Sequence, residues 1–115
     1  MDQLTKQMTT ADEHLIAAPG EPIVNITAFT ARQKVSGYLG STVSHLMGGG
    51  EPSLIFSKSR LVWRVPILLT STTRGLLGRV GHLDVDAHTS QLIISSDFTE
   101  QVKTHAQTLV DRSSR

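Results

Sequence analysis

The residues best suited to chemistry form one run, His82-Leu83-Asp84-Val85-Asp86. In a β-strand the side chains at i, i+2 and i+4 share a face, so His82, Asp84 and Asp86 are expected on one side of a strand. Imidazole and carboxylate groups are common ligands of zinc and similar ions. These three residues are therefore the candidate metal ligands of the chain.

Two observations argue against a metal site at this run. Alternate residues of a strand lie about 6.5–7 Å apart at the backbone, so three in succession rarely converge on one ion. Asp86 also opens the polar segment 86–90, where its carboxylate is suited to accept backbone N–H bonds of a turn. We therefore expect a solvated polar face with a turn aspartate, and neither a metal nor another cofactor.

Neither catalysis nor nucleic-acid binding is predicted. The chain has no cysteine and no Gly-x-Ser-x-Gly elbow, and its five histidines form no His-x-x-x-His pair. Nucleic-acid binding needs a basic stripe and aromatic stacking platforms, whereas the formal net charge is +1 and the chain has one Trp, one Tyr and three Phe. We expect a protein that is not an enzyme and has no nucleic-acid partner.

Length and composition predict a single domain in a reducing compartment. A chain of 115 residues is long enough for one compact domain and too short for two. The absence of cysteine fits a cytoplasmic protein. Residues 1–22 lack the apolar core of a secretory signal, and the longest apolar stretch, 65–69, is far shorter than the roughly 20 residues that span a bilayer. No membrane association is expected.

Residues 1–22 are predicted to be a leader separate from a domain over residues 23–115. The leader's apolar side chains fall on one narrow helical stripe, formed by Leu4, Met8, Ala11 and Leu15. Thr10 and Glu13 match a capping box, which favours a short helix over about 11–18. Such a thin stripe is not stable alone, so we expect the leader either to fray or to dock on a partner surface.

The first helix of the domain is predicted over residues 27–47. Thr27 is a suitable N-cap, and the apolar face carries Ala31, Val35, Tyr38, Leu39, Thr42 and Leu46. Gly37 and Gly40 are interpreted as positions of close helix–sheet packing. The run Gly48-Gly49-Gly50 is interpreted as the end of the helix.

After Pro52 the apolar period changes to two, which predicts a sheet. We expect antiparallel strands over 53–57 and 61–70, a third strand that ends at Asp86, and a fourth over 92–94. Asp97 and Glu100 then predict a capped C-terminal helix that runs to about Arg112. The predicted class is α+β: a helix packed on a four-stranded antiparallel meander sheet, with a C-terminal helix and a short N-terminal helix.

Two short motifs carry a resemblance to a known family. Trp63-Arg64-Val65 and the later run Val85-Asp86-Ala87-His88-Thr89 resemble the second half of a PepSY-type domain, over residues 28–95. The resemblance implies that the two motifs lie on paired strands behind a packing helix, and Ser90 stands where the family usually has Gly. It also implies an inhibitory or binding role, of the kind found in peptidase propeptides, which act outside the cytoplasm.

The long strand decides the predicted function, because both of its faces are apolar. Trp63, Val65, Ile67 and Leu69 share one face, and Val62, Pro66 and Leu68 share the other. Two helices could cover one face each; otherwise the second face meets a second copy of the chain. Pro66 has no N–H to donate, so its nitrogen is expected to face a gap in the neighbouring strand.

From these observations we expect a non-catalytic protein-interaction module that forms a homodimer or higher homo-oligomer and can also take a protein or peptide partner. The expected interface combines the leader with the second face of the strand: Pro66, Leu68, Val62, Leu4, Met8 and Leu15. The alternative function is a domain that binds a small ligand or a metal in a cleft between sheet and helix.

Overall fold

The structure, a computed structural model, describes residues 24–113. The helices are α1 (Ala28–Thr42) and α2 (Phe98–Ser113), and the strands are β1 (Met47–Gly49), β2 (Ser53–Ser57), β3 (Arg60–Ser71), β4 (Gly75–Asp86) and β5 (Leu92–Ile93). The α+β class with two helices is confirmed. The predicted leader helix over about 11–18 and the expected interface residues Leu4, Met8 and Leu15 lie outside the described residues.

The sheet has five antiparallel strands rather than the expected four. β3 pairs with β4 on one side, β4 pairs with β5, and both β1 and β2 pair with the other side of β3. The strand that sequence patterning missed is β1, in which Gly48 and Gly49 pair with Leu68 and Ile67. Glycine has no side chain to show a strand's alternation, so the triple glycine was indistinguishable from a helix stop.

α1 is shorter than predicted but begins at the expected cap. The Thr30 N–H donates to Thr27 Oγ1 at 3.1 Å, which satisfies one of the free donors of the first turn. The helix ends at Thr42, and the N–H groups of Val43 and Ser44 both donate to the carbonyl of Leu39. The predicted extension to residue 47 was therefore wrong, because the last turn closes on Leu39.

Both helices cover the same face of the sheet. The Tyr38 ring of α1 and the Phe98 ring of α2 have centroids 6.3 Å apart. The buried residues of both helices and of the predicted strand face form one cluster: Ala31, Val35, Leu39, Met47, Val65, Ile67, Leu69, Val80, Leu83, Val85, Phe98 and Val102. Between residues 24 and 113, then, neither helix covers the opposite face of the sheet.

Two β-bulges in β4 adapt this strand to the packing of α2. Ile67 pairs with Gly81 and Leu68 with Arg79, so Val80 is an extra residue in β4. Val80 is buried in the core, and its carbonyl lies 3.1 Å from His105 Nδ1 of α2. A bulge adds a residue on one strand and bends it, which here places an additional apolar side chain under the helix.

Pro66 faces a gap in its neighbouring strand, as predicted. The Gly50 N–H donates to the Pro66 carbonyl at 2.8 Å, so the backbone of Pro66 points towards β1 and β2. There the edge is interrupted, because β1 ends at Gly49 and β2 begins at Ser53. Because Pro66 has no N–H group, it cannot donate a second hydrogen bond to the neighbouring strand at this point.

Close packing of α1 on the sheet depends on Gly49 and not on the helix glycines. A Cβ atom at Gly37 or Gly40 would meet nothing within 4 Å, so the interpretation of these two positions as contact sites was wrong. A Cβ at Gly49 would lie 2.9 Å from Val65 Cγ1 and 3.2 Å from the Arg32 carbonyl oxygen. The edge strand therefore needs glycine where α1 crosses it.

Neither helix described between residues 24 and 113 combines the length and the apolar character needed to cross a membrane.

The glycine assignment predicts opposite effects for two alanine substitutions. Gly49→Ala should lower the free energy of unfolding by about 1–3 kcal/mol, because the added methyl group overpacks the α1–β1 contact. Gly37→Ala should raise it by up to about 1 kcal/mol, because alanine favours an exposed helix interior. Urea unfolding of both variants is the measurement. Equal effects at the two positions would contradict the packing described above.

Candidate interaction surface

The face of the sheet opposite the helices carries the polar side chains of the run 82–86. His82, Asp84 and Asp86 alternate along β4 and lie across from Pro66, Arg64 and Val62 of β3. The prediction that the three polar residues share a face is confirmed. We call this side of the sheet the open face.

Asp84 is held by a cross-strand partner. Arg64 Nε donates to Asp84 Oδ1 and Arg64 Nη2 to Asp84 Oδ2, each at 2.9 Å. These hydrogen bonds raise the pKa of the Arg64 guanidinium, although partial burial acts against them. His82 is exposed. Among residues 24–113 no group of three His, Asp or Glu side chains lies close enough to hold a metal ion.

Asp86 builds the turn between β4 and β5, as predicted. Its Oδ1 accepts the N–H groups of His88 and Thr89, both at 2.8 Å, and its Oδ2 lies 3.3 Å from Arg60 Nη1. Ser90 completes the turn with φ +71°, a left-handed conformation that favours glycine.

The environment of Asp86 lowers its pKa. Burial of the carboxylate raises the pKa, but the backbone N–H groups of Thr89 and His88 and the charge of Arg60 outweigh burial in the opposite direction. The carboxylate is therefore anionic in the native turn at neutral pH. Asp84 and Asp86 thus each serve a structural partner, and neither is left free beside His82.

The apolar residues expected at the interface offer little surface. Val62 is only 1% exposed, which leaves its side chain no area for a partner. Pro66 and Leu68 are half-buried. A Cβ at Gly50 would lie 3.0 Å from Pro66 Cγ and 3.1 Å from Leu68 Cδ1, so this glycine packs closely over both side chains.

β2 is an edge strand of the sheet and, within the described part of the chain, pairs only with β3. The Leu61 carbonyl accepts the Ala87 N–H at 3.0 Å, whereas the Pro66 carbonyl accepts the Gly50 N–H at 2.8 Å. Odd residues of β3 therefore direct their backbone groups to β4, and even residues direct theirs to β1 and β2.

This alternation determines which groups of β2 point outwards. Leu54 and Phe56 lie opposite Trp63 and Leu61, whose backbone groups face β4. Leu54 and Phe56 consequently direct their own N–H and C=O groups away from β3, to the free edge. Ile55 lies opposite Val62 and bonds inwards.

The free edge also carries exposed apolar side chains. Leu54 is 37% exposed and Phe56 is 66% exposed. Phe29, also 66% exposed, occupies the same row of α1 as Arg32 and Ser36, which hydrogen bond to Gly49 of the edge. We call Phe29, Leu54 and Phe56 the edge patch.

Sequence reasoning did not find the edge patch. It predicted the strand 53–57 but placed the interface on the long strand, because apolar residues on two faces there were the stronger signal. The clue was the position of β2 in the chain. A short strand that follows Pro52 and begins the meander has only one neighbour, so its outer edge is open.

A separate cleft of about 500 Å³ lies between β4 and α2. Its apolar lining includes Phe98 and Val102, and its polar lining includes His82, His105 and Lys58. This is the kind of sheet–helix cleft that the sequence suggested for a small ligand.

No family model matches the sequence, and neither a curated protein nor a solved structure matches the chain. The PepSY-type resemblance therefore stays a prediction.

Two substitutions separate the roles of the Asp86 carboxylate. Asp86→Ala should lower the free energy of unfolding by about 0.5–2 kcal/mol, because two backbone N–H groups lose their acceptor. Asp86→Asn should cost less, because the amide oxygen still accepts both N–H groups. Chemical denaturation at neutral pH measures both losses.

The stability difference between the unaltered chain and Asp86→Asn should depend on pH. Because the native pKa of Asp86 is lowered, its contribution is complete above the unfolded value of about 3.9 and is lost as the pH falls through the native pKa. Denaturation between pH 2 and 7 should show the difference shrinking only below about pH 4. A difference independent of pH would contradict the anionic turn.

Proposed function

We propose that this domain is a non-catalytic protein-interaction module that associates with a second copy of itself. The observation that carries the proposal is the uneven cover of the sheet. Both helices pack on one face, and the described residues leave the outer edge of β2 without a neighbouring strand.

The edge combines the two features that recruit another chain. Unpaired N–H and C=O groups form a template for an additional strand. The edge patch supplies apolar area beside that template, with two phenylalanine side chains each 66% exposed. Aromatic side chains are enriched at the centres of protein interfaces.

The carboxylates of the open face favour a structural role over catalysis. Asp84 accepts two hydrogen bonds from Arg64, and Asp86 accepts two backbone N–H groups. In both residues the carboxylate oxygens are thus engaged by structural partners.

The PepSY-type resemblance supports a binding role in a general way. β3, with Trp63, pairs with β4, and Trp63 lies opposite Val85, which is the strand pairing that the resemblance implies. α1 packs on the same sheet through Val35 and Leu39. We propose that the chain is a member of that family.

Phe56→Lys should weaken self-association at least tenfold. The substitution places a charge on the outer edge, where it opposes pairing with another chain. Leu76→Lys is the matched control, because Leu76 is 62% exposed on β4 and far from β2. Light scattering after size exclusion, over a range of micromolar concentrations, measures the mass of each variant.

Both lysine variants should keep the unfolding free energy within about 0.5 kcal/mol, since the replaced side chains are largely exposed. A monomeric unaltered chain throughout this concentration range would overturn the proposed function. Dissociation caused equally by Leu76→Lys would show that charge, and not the edge, controls assembly.

The cleft between β4 and α2 supports a second candidate function, the binding of a small molecule. Its lining combines the apolar side chains of Phe98 and Val102 with two imidazoles, His82 and His105. Such a lining suits a ligand with an apolar body and an acidic group.

Native mass spectrometry of the purified protein tests this candidate. A small molecule bound at one equivalent, and lost from the His82→Ala, His105→Ala double variant, would establish ligand binding. A mass equal to that of the polypeptide, together with no binding of a test carboxylate such as octanoate, would exclude it.

A further inference from the structure

We infer that the partner of β2 is β2 of a second copy, paired antiparallel about a two-fold axis at Ile55. This inference rests on the proposed self-association and assigns its geometry. An interface around a two-fold axis must be complementary to itself, and the strand Ser53-Leu54-Ile55-Phe56-Ser57 meets that condition.

The side chains match at every position of the register. Leu54 lies across from Phe56 of the second copy, and Phe56 across from Leu54, on the side that the helices cover. Ser53 lies across from Ser57, and Ile55 meets its own copy on the open face. Apolar residues thus pair with apolar residues, and small polar residues with small polar residues.

The backbone groups match as well. Leu54 and Phe56 direct their N–H and C=O groups outwards, so in this register they exchange hydrogen bonds with each other across the axis. The two copies together form four backbone hydrogen bonds. Ile55 bonds inwards to β3 in each copy, which makes the Ile55–Ile55 pair non-hydrogen-bonded.

Charges at the ends of the strand favour the same orientation. Glu51 precedes β2 and Lys58 follows it, and the Glu51 side chain is 85% exposed with Arg32 at 3.9 Å. An antiparallel partner brings Glu51 of each copy beside Lys58 of the other. A parallel partner would bring like charges together, which is unfavourable.

The pairing register of β2 with β3 is shifted by one residue from the register of β1 with β3. This shift determines the side of the sheet on which Leu54 and Phe56 lie. Gly49 lies opposite Ile67, but Ser53 lies opposite Arg64, so one extra residue intervenes. As a result Leu54 and Phe56 lie on the same side of the sheet as α1 and Phe29.

Single cysteines test this register, because the chain has no cysteine of its own. Non-hydrogen-bonded antiparallel pairs have Cα atoms about 4.5 Å apart, a separation that suits a disulfide. Ile55→Cys should therefore form a disulfide-linked dimer as the major product when oxidised glutathione accepts the two electrons released by the two thiols.

Ser53→Cys and Ser57→Cys are the matched controls. Each cysteine lies about 13 Å from its own copy across the axis, so neither variant alone should crosslink. A mixture of the two variants should crosslink, because residue 53 of one copy faces residue 57 of the other. Non-reducing electrophoresis measures all three outcomes.

The controls separate failure of the register from failure of the proposed function. A dimer by light scattering that crosslinks at neither Ile55→Cys nor the Ser53/Ser57 mixture would overturn the register and leave self-association standing. A monomeric unaltered chain would overturn both. Crosslinking of Ser57→Cys alone, at the yield of Ile55→Cys, would place the axis elsewhere.

Opposite charges introduced at residues 54 and 56 provide a second test of the register that uses no cysteine. Leu54→Glu and Phe56→Lys should each weaken the dimer at least tenfold, because each sets a charge against an apolar residue. The double variant should recover most of the affinity, because the introduced carboxylate of one copy then faces the introduced ammonium group of the other. Absence of recovery in a folded double variant would contradict the pairing of residues 54 and 56.

Discussion

The fold depends on a proline at the centre of its middle strand. Pro66 points its backbone towards β1 and β2, where it accepts the Gly50 N–H but has no N–H to return. A continuous partner strand would leave an unpaired carbonyl at this point. The edge is instead divided into β1 and β2, with one extra residue between their registers. The division leaves β2 as a short strand whose outward groups belong to Leu54 and Phe56.

The two helices cover only one face of the sheet because the two faces of β3 differ in their side chains. Val65 and Ile67 belong to the apolar cluster on which both helices pack. The open face instead presents polar pairs such as Arg64–Asp84. Those pairs and the close approach of Gly50 reduce the apolar area that the open face presents. Exposed apolar side chains remain at the edge of β2, where Leu54 and Phe56 lie, and self-association through an edge needs no rearrangement of the core.

Sequence patterns predicted the parts of this structure that depend on local chemistry. The alternation along β3, the cap at Thr27 and the turn at Asp86 follow from side-chain period and hydrogen-bonding capacity. Glycine has no side chain that could show this alternation, so β1 could not be recognised from the sequence. The choice of face for α2 could not be predicted either, because an apolar stripe containing Phe98 fits either side of a sheet whose middle strand is apolar on both.

Amide hydrogen exchange of β2 at two protein concentrations distinguishes an edge that pairs with a second copy from one that stays open. Ile55 bonds to β3, so its amide should be protected at both concentrations. The amides of Leu54 and Phe56 point outwards, so they should exchange rapidly in dilute solution and become protected, to the extent that dimer forms, at high concentration. Rapid exchange of both amides at every concentration, in a sample that light scattering shows to be dimeric, would contradict pairing through this edge.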